Sequence, residues 1–171
     1  MNATNIQDFS TLLQRLWSIE NLLVEAMPGM IEKASNLGLQ KSLAHHFEET
    51  RQHKVAIEAI CKQLGIDPTG GEPDMGLQEI LKQGDKELSK GSAETSGEEI
   101  DAILINNALQ VEQYEMDAYM PAGDAAEFAG FEGVSQRLRL TLAEERQADT
   151  KLRFLLKSLY SPTAEIGQMG N

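Results

Sequence analysis

Only one cysteine, Cys61, stands in the 171 residues. No disulfide can form within the chain, and a four-cysteine iron site is excluded as well. Basic residues are also scarce: 15 Lys and Arg face 27 Asp and Glu, a net charge of −12. That balance speaks against nucleic acid, which needs clustered Lys and Arg. It speaks equally against an anionic membrane surface. No apolar run approaches the roughly 18 residues of a membrane span. The opening MNATNIQDFS has neither a basic n-region nor an apolar h-region, so it is not read as a signal peptide. With a lone cysteine, a cytoplasmic protein is expected. A phosphate-binding glycine loop, a Gly-x-Ser-x-Gly elbow and a Ser/His/Asp constellation are all missing. What remains for so acidic a chain is cations.

Helix formers dominate what is present, and strand-like alternation is nowhere sustained. The spacing predicts an all-α domain over residues 1–160 and a mobile tail over 161–171. Four long helices are expected over 8–34, 39–64, 98–128 and 131–160, with a short one over 75–88. "GIDPTGGEPD" (65–74) and "SKGSAETSG" (89–97) break the chain between them. Ser96 with Glu99 three residues on reads as a capping box. Pro28 and Gly29 interrupt the first helix, but the apolar spacing resumes at Met30, Ile31 and Ala34, so a kinked, continuing helix is expected. The first and second long helices are joined by few residues, as are the third and fourth, so each pair is an antiparallel hairpin. The link between the hairpins is long enough to run the length of the fold. Two hairpins with one long crossover make the ferritin-like form of four-helix bundle.

Core positions of a bundle helix recur about every 3.5 residues. The four stripes are Phe9–Leu13–Leu16–Glu20–Leu23–Met27, then Leu43–His46–Glu49 or Thr50–His53–Ile57, then Leu104–Ala108–Val111 or Glu112–Glu115–Tyr119, then Leu138–Leu142–Glu145–Asp149–Leu152. Each is oily at both ends and acidic in the middle. Counted from the hairpin turns at about 1.5 Å per residue, the polar members lie roughly 18–28 Å along, at one level. Ionised carboxylates in a dry core cost several kcal/mol, roughly, unless compensated. No Lys or Arg stands in the stripes to pair with them. Two divalent cations would supply the missing charge, and hard oxygen ligands with imidazole suit iron or manganese. The candidate ligands are Glu20, Glu49, His53, Glu112, Glu115, Glu145 and Asp149. Glu144 reads as a surface charge. His46 reads as a core histidine, or one bonded to a ligand, rather than as a ligand. Cys61, near the buried edge of its helix, is expected to be inert. Leu12, Trp17, Leu22, Phe154 and Leu155 are apolar beyond one inward face and point to a homodimer.

"IENLLVEAMPGM" (19–30), "HHFEETRQHKVAIEAICKQLG" (45–65), "ALQVEQYEMDAY" (108–119) and "TLAEERQADTKL" (141–152) together resemble the YciF/YciE-type family of ferritin-like bacterial stress proteins. The resemblance implies a proline in the first long helix and a small oligomer. In the wider superfamily one helix gives a Glu, its neighbour a Glu and a His, and the second pair repeats this. Carried over, Glu20, Glu49 and His53 form one half, and Glu112, Glu115, Glu145 and Asp149 the other. Three departures stand out: Glu49 and His53 are four residues apart rather than three, Asp149 stands where a His is usual, and Gln113 stands where the family commonly has His. By analogy with rubrerythrin-like relatives, such a centre would oxidise Fe(II) or reduce peroxide. The alternative is a non-enzymatic structural stress protein with a vestigial or spectator-ion site. No motif points to a storage cage or to an electron donor.

Overall fold

The computed structural model describes residues 3–90 and 95–160, with side chains from Asp8 onward. Among them are five α-helices and no strand: α1 Ala3–Lys33, α2 Leu37–Leu64, α3 Met75–Ser89, α4 Gly97–Phe128 and α5 Glu132–Tyr160. A single 3₁₀ turn, Pro68–Gly70, precedes α3. The expected tail, 161–171, lies outside the described residues.

Each boundary has a local cause. Asn36 accepts a hydrogen bond from the Leu39 amide (3.0 Å) and starts α2. Ser96 and Glu99 form the expected capping box, with Glu99 accepting from the Ser96 amide at 2.8 Å. α1 runs unbroken through Pro28, and α4 through Pro121. Both prolines lie on exposed positions. There water can replace the bond that a proline nitrogen cannot donate, so the apolar face holds the helix together across the gap.

Residues 34–36 join α1 to α2, and 129–131 join α4 to α5, so each pair runs antiparallel. α1 packs on α2 and α4 on α5, while α1–α4 and α2–α5 contacts close the ring. The crossover, residues 65–96, carries α3 along α4. Two glycines let α3 approach closely: a Cβ on Gly76 would stand 2.2 Å from the Tyr114 hydroxyl, and one on Gly84 would stand 2.5 Å from the Asn107 amide. The Asp74 carboxylate at the head of α3 accepts from Leu77 N, Tyr114 Oη and Arg15 Nε at 2.6–2.9 Å. It is thereby held below the usual carboxylate range against the opposing effect of its burial.

The apolar core falls into two clusters. One gathers Phe9, Leu13, Leu16, Ile57, Ile60, Ala122 and Leu138, among others. The second, at the opposite end of the helices, gathers Ala34, Leu39, Leu43, Leu104, Ile105 and Leu152. Leu12, Trp17 and Leu22 pack against the first, and Leu155 against the second. Of the five apolar residues outside the inward face, Phe154 alone is largely exposed, at 72%. Cys61 is fully buried, and burial pushes its thiol up to about 11, where a thiol is unreactive.

Candidate metal centre

The inward seam of α2 reads Leu43, His46, Thr50, His53, Ile57, Ile60, all buried. That alternation of three and four keeps one face turned inward, and it selects Thr50 rather than Glu49. The Thr50 hydroxyl is satisfied by the His46 carbonyl at 3.0 Å. Glu49, one residue off the seam, is turned about 100° away. Its side chain remains 25% exposed and faces His45 and His46 rather than the centre. On α5 the same logic selects Ala148 over Asp149. Ala148 is buried, while Asp149 accepts two hydrogen bonds from Arg153 at 2.8 Å each. Glu20 on α1, Glu112 and Glu115 on α4, and Glu145 on α5 all lie on their seams and are buried.

These side chains converge between the two apolar clusters. Donor atoms of His46, Glu112, Glu115 and Glu145 lie within 4.8 Å of one another, and so do those of Glu20, His53 and Glu145. Of the seven residues expected from the sequence, Glu20, His53, Glu112, Glu115 and Glu145 therefore meet; Glu49 and Asp149 stand outside. Two residues enter that were not expected there. His46 was assigned a core or supporting role, yet its Nε2 sits 3.2 Å from Glu112 and 3.5 Å from Glu145. Glu144 reads as a surface charge in the sequence, yet it lies 2.9 Å from His53 Nε2. The seven-residue spacing of His46 and His53 was the available signal for the first. Nothing local announced the second, because its partner is on another helix.

Both imidazoles are held in the same way. His53 Nε2 faces Glu144, and His46 Nδ1 faces Glu49 at 3.4 Å. A carboxylate on the outer nitrogen fixes the proton there and turns the other nitrogen's lone pair inward. The inward atoms then find no donor. His53 Nδ1 lies 3.0 Å from Glu145 Oε1, but the two are not aligned as a hydrogen bond. Among the described residues, eight buried polar atoms lack a hydrogen-bond partner, and all belong to this cluster: one each on Glu20, His46, His53 and Glu112, and both oxygens of Glu115 and of Glu145. Lone pair faces lone pair, so a proton or a cation has to lie between.

Protons answer part of this demand. Burial raises Glu20 to about 8, with the neighbouring Glu145 adding to the rise and the His53 charge opposing it. Burial likewise lifts Glu112 to about 7 and Glu115 well above the ordinary range. Burial disfavours charge on His46 and His53, but the carboxylates around them outweigh it and raise both. Tyr119, fully buried and held neutral by burial and the adjacent carboxylates, donates its hydroxyl to Glu20. Cations answer it more fully. Four carboxylates and two neutral imidazoles balance two divalent ions, and the donor set of oxygens with imidazole nitrogens suits iron or manganese. The residues therefore fit such a pair. The donor count, four Glu and two His, equals that of ferritin-like dimetal proteins, but here both histidines come from α2.

Known proteins support the same fold. In Escherichia coli strain K12, the protein YciF is 27% identical over 167 residues, covering 96% of this chain and 98% of YciF. The crystal structure of the E. coli stress protein YciF matches with a TM-score of 0.79 at 25% identity, over 92% of this chain and 98% of that one. YcfI of Rhodopseudomonas palustris, for which a structural role has been suggested, matches with a TM-score of 0.81 at 28% identity, over 87% of this chain and 92% of that one. Relatives of matching length thus share the helical arrangement that places the cluster. A family profile described as a domain of unknown function, DUF892, matches residues 4–165, almost the whole length, and the chain accordingly belongs to the DUF892 family.

Proposed function

We propose that the protein is a ferritin-like four-helix bundle whose centre binds two divalent metal ions, iron or manganese, and that it serves a stress response. The observation that carries the metal reading is the set of eight buried, unpaired polar atoms on six convergent side chains. Glu20 and His53 would hold one ion, His46, Glu112 and Glu115 the other, with Glu145 offering an oxygen to each. Bound iron would supply redox chemistry toward Fe(II) or peroxide. Around it, Glu144 and Glu49 hold the protons of the outer ring nitrogens and so aim the inner nitrogens at the centre, and Tyr119 holds Glu20 in place. The stress role rests on the likeness to YciF, called a stress protein. A cytoplasmic location and a homodimer also form part of the proposal; Leu140, Phe154 and Tyr160 are exposed on α5 and available to such an interface.

The test is elemental analysis of the protein purified without chelator, beside the variant Glu115→Gln with Glu145→Gln. About two equivalents of Fe or Mn per chain, lost in the double variant, support the centre. No bound metal after aerobic and anaerobic reconstitution removes it. A second reading has its own observation. The pKa values of Glu20, Glu112 and Glu115 are pushed upward by burial, so protons in place of metal would neutralise the cluster, and a structural role has been suggested for YcfI. Metal-loaded protein that consumes neither Fe(II) nor peroxide favours that structural reading.

A further inference from the structure

The candidate ligands are sealed from solvent almost everywhere, and two small cavities touch them. One is walled by apolar side chains, among them Leu23, Met27 and Val111. The other lies between α2 and α5, with Ser42, His45, Glu49 and Lys151 at its outer side and His46 and Glu112 at its floor. The large surface cavity of about 570 Å³ beside Phe131 reaches none of the ligands.

We propose that the α2–α5 crevice is the port through which divalent cations reach the centre, with Glu49 as the first oxygen ligand met and Lys151 as an electrostatic check at the rim. The inference deepens the metal-centre reading and rests on it. Its floor is made by two side chains more than nine-tenths buried, His46 and Glu112, each carrying an unpaired donor atom. Its wall is Glu49, which spans solvent and floor: Oε1 lies 3.3 Å from His45 at the surface, and Oε2 lies 3.4 Å from buried His46. The crevice is narrow, about 10 Å³, the space of one water molecule. A hydrated cation has to shed water to pass, and a carboxylate at the narrowing offers oxygen in exchange. Lys151 is the one fixed cation lining the passage, and its charge also acts on Glu49. A positive charge at the mouth of an ion path slows cations.

The experiment is stopped-flow uptake of Co(II) by the metal-stripped full chain, followed by the visible absorption of the bound ion. Ser42→Phe fills the crevice from a position that is not itself a proposed ligand. Uptake should slow about tenfold while the final Co(II) per chain is unchanged. Lys151→Glu should speed uptake about tenfold at low ionic strength, and the gain should shrink in high salt. Should Ser42→Phe misfold, the surface change Lys151→Glu decides alone. Wild-type rates in Lys151→Glu, with the same Co(II) bound, overturn the port and leave the centre standing. A wild-type chain that takes up no Co(II) overturns the centre, and the port with it.

Discussion

The ends and the middle of the same four helices are equally buried and chemically opposite. Leu13 and Glu115 are both fully shielded from solvent. Leu13 belongs to an apolar cluster, where burial stabilises. Around Glu115 the neighbours are three more carboxylates and an imidazole, and burial costs energy that only protons or cations can offset. One chain thus carries a scaffold and a site at odds with each other, and its stability should depend on what occupies the middle.

The sharpest way to break that contrast is at the ends. Leu13→Ala should cost about 3–5 kcal/mol, by the same amount with and without metal, read from denaturant unfolding. A loss that depends on metal would show that ends and middle are not separate. Metal removal comes next. Glu20 and Glu112, raised to about 8 and 7, and the raised Glu115 all bind protons more tightly folded than unfolded. So do His46 and His53. Every one of these shifts has the same sign, so the metal-free protein loses stability as pH rises from the unfolded carboxyl range near 4.5 toward 8. Metal needs the deprotonated ligands, so its stabilisation grows over that range. Chelation should lower the melting temperature strongly at pH 8, where saturating metal contributes about 3–4 kcal/mol of stability, and hardly at pH 5.5. Equal melting curves with and without chelator at pH 8, on protein shown to carry metal, would sink the central claim.

Smaller changes sharpen the same line. Glu144→Gln leaves the ligands in place but loosens His53. Metal affinity should fall about 10–100-fold, measured by competition with a coloured chelator. Glu115→Gln removes one buried acid. Without metal it should raise stability by about 1 kcal/mol, and with metal it should lower it. The same sign in both states would mean that Glu115 is no ligand. Asp149→Asn should change stability by less than about 0.5 kcal/mol and leave metal content untouched, since Asp149 serves Arg153 at the surface.

Much of the fold was legible in the residues themselves. Helix ends fell within a few residues of expectation wherever a cap announced them, as at Ser96. The apolar spacing points to a start of α1 at Asp8, and the helix begins earlier, at Ala3. The site was legible up to one step of rotation. Glu20, His53, Glu112, Glu115 and Glu145 follow from periodicity, because each sits squarely on a seam. Glu49 against Thr50, and Asp149 against Ala148, differ by one residue, and only packing against the neighbouring helix chooses between them. In both places the carboxylate is the chemically attractive residue, and the structure puts the smaller one inside. Glu144 lay beyond reach for another reason: its meaning comes from His53, on α2, and no local pattern on α5 holds it.

Glu145 points one oxygen toward His46 and the other toward His53. A side chain shared in this way makes occupancy cooperative. Fixing the Glu145 carboxylate in place for one ion also positions its second oxygen for the other, so a half-filled cluster should be the rare species, and a titration should climb in one step to its full stoichiometry. The coupling is reciprocal: an alteration near His46 should be felt at His53, two turns along α2, through a single carboxylate.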